Sequence, residues 1–330
     1  MKAIQFKEYG AYDNLKVVDL DIPELKEGQL LVKINVAAVN PVDNTIRKGL
    51  LPLAKKLPMI LGNEAAGVIA KGNGEFPEGT RVIVSSFTPD GLIRGISSDG
   101  TWQEYLALYP QEVIKTPDNV SDEEAATFPV AFFSAQACLN KGDFTSSKSV
   151  LALGVGGAVG NAAVQLALAY GSPLVITTAG SSEKAAAARS TGIENIIDLS
   201  KESISEGVLR ITEGKGVDLV VDSIGGNLTG EALHSLARNG ILVTIGYSAG
   251  VQFTANITDF VWKGIQMRGQ SLVGWFNAEE QKQVWDQLTP LLANGKIKPL
   301  VAKVFDAAEG AEAQRYLIED RPFGKVLLKF

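Results

Sequence analysis

Short runs of alternating or continuous apolar residues recur through the first third of the chain, at 2–6, 15–20, 30–39, 65–70, 81–86 and 102–108. Turn-forming residues separate them, as in Gly72-Asn73-Gly74, Pro89-Asp90-Gly91 and Asp99-Gly100. Short strands at uneven spacing predict a small barrel or sandwich over residues 1–122. The pattern changes near residue 123. Residues 123–140 predict a helix that bends or breaks at Pro129. Strands at 150–153, 174–178, 195–198, 217–222 and 240–245 then alternate with helices at 157–170, 181–189, 202–212 and 227–237. Repeated strand–helix units with nearly all-apolar strands predict a doubly wound parallel sheet over 123–272. Residues 273–330 read as helix (278–293), strand (300–305), helix (307–319) and strand (324–330). This tail is too short for a core of its own and is expected to complete the first domain. The fold class is α/β.

Composition narrows the partners. The 330 residues carry 31 Lys and Arg against 37 Asp and Glu, scattered rather than blocked, so no basic stripe predicts nucleic-acid binding. No apolar run reaches the ~20 residues that span a bilayer, and no membrane role is expected. The N-terminus carries no signal-peptide pattern, and the single cysteine, Cys138, permits no intrachain disulfide. A cytoplasmic protein is expected.

The strongest local signal is Val150-Leu151-Ala152-Leu153-Gly154-Val155-Gly156-Gly157-Ala158-Val159-Gly160. A strand feeds a glycine turn that opens a helix. Such a turn lets the backbone approach a pyrophosphate, whose charge is stabilised by the helix N-terminal amides. The usual G-x-G-x-x-G is met imperfectly, because Val159 holds the sixth position; Gly154-x-x-Gly157-x-x-Gly160 fits cleanly. Gly154, Val155, Gly156, Gly157, Ala158 and Val159 are the candidate pyrophosphate contacts, against the alternative of a purely structural turn. An NAD site usually offers an acid at the end of the second strand. Here that strand runs out through Thr178-Ala179-Gly180-Ser181-Ser182-Glu183-Lys184 with no acid at its tip. Gly180, Ser181 and Lys184 are expected to take a ribose 2′-phosphate, so the expected cofactor is NADPH. Glu183 has an ordinary use in a capped first helical turn, and Lys184 has the alternative of a solvated surface lysine.

Several further stretches keep a particular order and spacing. They are Val39-Asn40-Pro41-Val42-Asp43, Gly62-Asn63-Glu64-Ala65-Ala66-Gly67, Asp99-Gly100-Thr101-Trp102-Gln103-Glu104-Tyr105, Ala125-Ala126-Thr127-Phe128-Pro129-Val130, Val217-Asp218-Leu219-Val220-Val221-Asp222-Ser223 and Gly324-Lys325-Val326-Leu327-Leu328. Together with the glycine turn they resemble the zinc-independent quinone oxidoreductase branch of the medium-chain dehydrogenase/reductase family, over essentially the whole chain. The resemblance implies a chaperonin-10-like β-rich catalytic domain and a Rossmann domain, with the cofactor in the cleft between them. It implies that Asn40, Pro41 and Val42 face the nicotinamide, with Thr127 and Val130 near the same ring. Ser223, Gly246, Tyr247, Ser248, Ser271 and Leu272 would line the nucleotide path, and Lys325 would close it. It also suggests a homodimer, paired through an edge strand around 267–274. Two departures stand out. Leu199 replaces a tyrosine frequent near the adenosine end, and Thr45-Ile46-Arg47 lacks a tyrosine frequent near the acceptor.

Zinc-dependent relatives hold metal with Cys and His. This chain has one of each, Cys138 and His234, and reads Asn40 and Gly62-Asn63-Glu64 where those relatives place ligands. No metal site is expected; Cys138 reads as a core thiol and His234 as an ordinary helix residue. Without a Lewis acid the favoured acceptor is electron-poor, a quinone or conjugated carbonyl that takes hydride and then a proton from water or a nearby polar group. Asn40 either hydrogen-bonds the nicotinamide or acceptor oxygen or serves as a turn residue before Pro41. Asp43 and Tyr105 are further catalytic candidates, with loop anchoring and barrel packing as their alternatives. Trp102 and Trp275 form an apolar acceptor wall or belong to the core. The rival functions are an enone, alkenal or enoyl-thioester reductase, and a noncatalytic NADPH-binding protein of the lens-crystallin kind.

Overall fold

The computed structural model describes residues 1–273 and 276–330. Met1–Val130, Leu272–Trp285 and Pro299–Phe330 pack as one unit, and Ala131–Ser271 with Asp286–Lys298 as a second.

The first unit is built around β3 (Leu30–Val39), after β1 (Lys2–Phe6) and β2 (Lys16–Asp19). Leu30, Val32 and Ile34 alternate inward, and Val36 to Val39 are buried throughout, so the strand needs cover on both sides. One edge pairs with β5 (Ala65–Lys71), which continues to β6 (Arg81–Val84) and β8 (Val113–Lys115). The other edge is shared. β7 (Tyr105–Leu108) takes residues 30–33, and β16 (Lys325–Lys329) takes residues 36–39. β15 (Val301–Asp306) lies parallel beyond β16. A separate antiparallel sheet orders β2, β1 and β4 (Met59–Ile60). Trp102 is fully buried and donates from Nε1 to the Ala38 carbonyl at 3.0 Å, which makes it core. Trp275 lies outside the described residues.

Two segments differ from expectation. α1 (Pro41–Arg47) was not anticipated. Its Arg47 turns inward, donates to Asn44 Oδ1 at 2.7 Å and to Gln314 Oε1 and the Gly10 carbonyl, and lies 4.1 Å from the Tyr12 ring centroid. Within the Thr45-Ile46-Arg47 stretch that lacks the tyrosine, Arg47 is therefore a buried anchor. α2 (Asp122–Lys141) runs on through Pro129, so of the expected bend or break the break does not occur. Proline removes one N–H and crowds the carbonyl four residues back, which opens the local turn. The freed N–H of Val130 finds a partner outside the helix, Glu64 Oε2 at 2.6 Å.

The second unit has an all-parallel six-stranded sheet, ordered β11 (Asn195–Asp198), β10 (Val175–Ala179), β9 (Val150–Ala152), β12 (Val217–Asp222), β13 (Leu236–Thr244) and β14 (Gln266–Gly269). Leu151, Ile176, Ile197, Val220 and Leu242 form its buried centre. The connecting helices include α3 (Ala158–Ala169), α4 (Ser182–Ser190), α5 (Ile204–Ile211), α6 (Asn227–His234) and α7 (Ile257–Lys263). α6 ends at His234 and β13 begins at Leu236, earlier than expected, because Leu236 pairs with Val217 and enters the core. α7 was missed, since Ile257, Val261 and Trp262 face solvent and leave no amphipathic stripe.

The C-terminal segment supplies α8 (Ala278–Ala293) and α9 (Gly310–Arg315). A 3-10 turn at Ala307–Glu309 and a π-turn at Tyr316–Asp320 flank α9, where one helix over 307–319 was expected. No described helix is long and apolar enough to cross a membrane.

Candidate active site

The polar cluster of the first unit starts from the way α1 begins. Pro41 at the first helical position has its φ preset for a helix. The Asn40 backbone N–H donates to Asp43 Oδ2 at 2.7 Å, half of a capping box. The other Asp43 oxygen accepts from Gly62 N at 3.1 Å, so one carboxylate clamps two loops. Asp43 is fully buried. Burial pushes its pKa up to about 7, against the opposing pull of those two N–H groups and of Lys325.

The Asn40 side chain faces the other way. Its Nδ2 donates to Glu64 Oε1 at 3.1 Å, and its Oδ1 accepts from Lys325 Nζ at 2.6 Å. Lys325 also pairs with Glu64 Oε1 at 2.6 Å, both side chains being shielded from solvent (4% and 0% exposed). Val130 N occupies Glu64 Oε2. The structure thus joins Asn40, Asp43, Val130 and Lys325 in one network. Pro41 and Val42 lie in the first turn of α1, and Thr127 is buried in α2, donating to the Glu123 carbonyl at 2.8 Å. Tyr105 stands on β7 opposite Lys33 and is not a hydrogen-bonded member of the network. The hub, Glu64, stands in the Gly62-Asn63-Glu64 stretch, but the sequence assigns it no site role. Nor does it assign one to Asn63, whose Nδ2 donates to the Arg94 carbonyl at 2.7 Å while its buried Oδ1 has no partner among the described residues.

This donor set does not fit zinc. Amide side chains stand at 40 and 63, and the ammonium of Lys325 already contacts both Asn40 Oδ1 and Glu64 Oε1. Among the described residues, no three His, Cys, Asp or Glu side chains converge as a metal site.

In the second unit, β9 ends in the turn that carries Gly154, Val155 and Gly156. Gly154 has φ +79°, a region that disfavours side chains. A Cβ on Gly160 would lie 2.3 Å from the Leu153 carbonyl oxygen and 2.4 Å from that of Gly154, so only glycine allows α3 to pack against the turn. Gly157 caps α3 without a side chain, and Ala158 and Val159 begin a first turn holding no acid, so its amides keep their positive field. Thr178 anchors the turn through Gly154 N (2.9 Å, to Oγ1) and Val155 N (2.9 Å, to the carbonyl). This cradle fits a pyrophosphate. Ser223 Oγ donates to the Leu153 carbonyl at 3.2 Å, and a Cβ on Gly246 would meet the Ser223 carbonyl at 2.0 Å. Tyr247 and Ser248 are exposed beside them. Ser271 ends the second unit, whereas Leu272 belongs to the first.

At the tip of β10, Gly180 is exposed and Ser181 caps α4, accepting from Lys184 N at 3.3 Å. A hydrogen bond from Ser181 holds the Glu183 carboxyl below its usual range, in keeping with the ordinary first-turn use expected for it. Leu199 packs against the sheet core. One unforeseen acid is present: Asp198 Oδ2 accepts from Ser182 Oγ at 2.6 Å. Its signal is a third-strand residue that only the sheet pairing carries to this tip. Cys138 is buried, and His234 contacts Asp259 Oδ2 through Nδ1 at 2.9 Å.

The chain matches two family models, alcohol dehydrogenase GroES-like domain over residues 26–118 and zinc-binding dehydrogenase over 158–294. A quinone oxidoreductase of Salmonella typhimurium is 32% identical, with 96% of this chain and 92% of that protein covered. The chloroplastic NADPH-dependent alkenal/one oxidoreductase of Arabidopsis thaliana is 30% identical over 99% of this chain and 79% of its own length. Among solved structures, an NAD-dependent alcohol dehydrogenase superposes with a TM-score of 0.90 at 28% identity, covering all of both chains.

Two outcomes follow from this geometry. Gly160→Val forces the turn apart and weakens binding of a reduced nicotinamide nucleotide by at least about tenfold in fluorescence titration. Asp43 gives a pH signature. Because its folded-state pKa is raised, its contribution to stability is complete below about pH 4 and is lost as pH rises through about 7. Urea melts of the wild type should therefore weaken from pH 5 to pH 8, by on the order of a few kcal/mol, and Asp43→Asn should flatten that slope.

Proposed function

Because this chain belongs to the medium-chain dehydrogenase/reductase family, we propose that it is an NADPH-dependent, zinc-independent reductase of quinones or conjugated carbonyls. The observation that carries the reading is the Gly154–Gly160 turn between β9 and α3, a backbone cradle opening on an acid-free helix N-terminus. Lys184 and the lack of an acid at the end of β10 support the phosphorylated cofactor.

NADPH, when bound, supplies a hydride from its nicotinamide C4. The cradle residues Gly154, Val155, Gly156, Gly157, Ala158 and Val159 hold the pyrophosphate. Gly180, Ser181 and Lys184 take the ribose phosphate, with Ser223, Gly246, Tyr247, Ser248, Ser271 and Leu272 along the nucleotide. Asn40, Pro41, Val42, Thr127 and Val130 position the ring, and Lys325 keeps Asn40 in its rotamer. The chain's part in the reaction is orientation and exclusion of water, with no metal to polarise an oxygen. A quinone or enone suits this site, because the negative charge left by hydride addition spreads over its conjugated system. The one proton that completes the reduction comes from water, giving a hydroquinone or a saturated carbonyl. Asp43, being buried and doubly hydrogen-bonded, anchors Asn40; Tyr105 remains a substrate-side candidate.

We further propose a homodimer. β14 ends the sheet with no partner strand on its outer side among the described residues, and Trp262 of the neighbouring α7 is 72% exposed. The lone buried Cys138 supports a reducing, cytoplasmic setting.

A panel of quinones, enones and a simple ketone tests the activity. NADPH oxidation is expected with the conjugated acceptors only and should survive a chelator unchanged. Turnover restricted to an alcohol or plain ketone, or lost with chelator and restored by zinc, would sink the reading, and binding without any turnover would favour the noncatalytic one. Sedimentation should give a dimer that Trp262→Glu dissociates.

A further inference from the structure

We infer that Asp198 is a cofactor-specificity residue, a carboxylate brought from the third strand to the tip of the second, where it opposes the preference for a 2′-phosphorylated nucleotide that Lys184 confers. The inference rests on the nucleotide site proposed above.

In parallel pairing, Asp198 lies beside Ala179, the last residue of β10. Dinucleotide folds place the adenosine ribose at the end of that second strand. The side chain is only 10% exposed, and both of its oxygens are fixed. Oδ1 accepts from Ser200 Oγ at 2.5 Å and Ser200 N at 3.1 Å, closing a local turn. The turn leaves Oδ2 unused, and Oδ2 accepts from Ser182 Oγ at 2.6 Å at the start of α4. These donors hold the carboxyl well below its usual range, so it is an anion at any working pH. Lys201 approaches Oδ2 at 3.3 Å, but its side chain is mostly in solvent and compensates weakly.

The hydroxyls at the tip look in sequence like phosphate donors. In the fold the Ser182 proton is committed inward, to Asp198. Ser181 Oγ accepts from Lys184 N at 3.3 Å, and the Glu183 side chain beside it is exposed. A 2′-phosphate arriving here meets a lone pair on Ser182 and the Asp198 carboxylate behind it, with Lys184 as the opposing charge. A free 2′-hydroxyl, by contrast, can donate to the Ser182 oxygen. The site therefore takes both reduced nucleotides and favours NADPH only modestly.

The test is fluorescence titration of the full-length wild type, Asp198→Asn and Asp198→Ser with NADPH and with NADH, at low and at high ionic strength. Removing the anion should shift the ratio of the two dissociation constants toward NADPH by about tenfold at low salt, and by less at high salt, as expected for a charge effect. Asp198→Ser keeps a short acceptor for the local turn and should reproduce the shift if the amide disturbs folding. A ratio that stays put while both nucleotides still bind would overturn the inference, as would a shift indifferent to salt. A wild type that binds neither nucleotide overturns the proposed function itself, a result separable from an unchanged ratio.

Discussion

A carboxylate sealed from solvent has to be neutralised where it lies, and in the first unit that constraint falls on Glu64. Its two oxygens collect an ammonium from β16, an amide from the β3–α1 junction and a backbone N–H from α2. Removing one partner of such a buried pair typically costs about 3–5 kcal/mol, although the intact pair adds little net stability over an apolar substitute. What the network provides is registration. Three segments far apart in the chain must arrive together for Glu64 to be satisfied, and in doing so they fix the Asn40 side chain.

Much of the fold was legible because its strands are either alternating or wholly apolar. The bounds of β3 and β12 follow directly from such runs, and the glycine turn announced the β9–α3 junction. The misreadings have local causes. Seven mostly polar residues after Asn40 carry no helical stripe, so α1 was overlooked. At Pro129 the sequence leaves both bend and break open, because it shows the missing N–H but not the distant acceptor that employs the N–H of Val130.

The sites divide in the same way. Asn40 and Lys325 are singled out by a resemblance spanning the chain. Glu64 lies in a stretch the resemblance marks, Gly62-Asn63-Glu64, but its role as the hub is not legible there because its partners are 24 and 66 residues away. Asp198 was missed for a related reason: the strand-end rule inspects one strand, whereas the field at the tip of β10 is set by two. Fold class followed from periodicity, but chemical selectivity depends on which neighbours each hydroxyl actually faces.

The place of β16 between β15 and β3 bears on how the protein is made. Asn40 and the lysine it holds are 285 residues apart. At translation speeds of about 5–20 residues per second, β3 waits on the order of tens of seconds for the strand that covers its second half. During that interval the second half of β3 lacks its covering strand, while the strands of the parallel sheet are being synthesised. The nucleotide-binding half can thus mature first, and the nascent β-rich half is the segment that calls for chaperone protection.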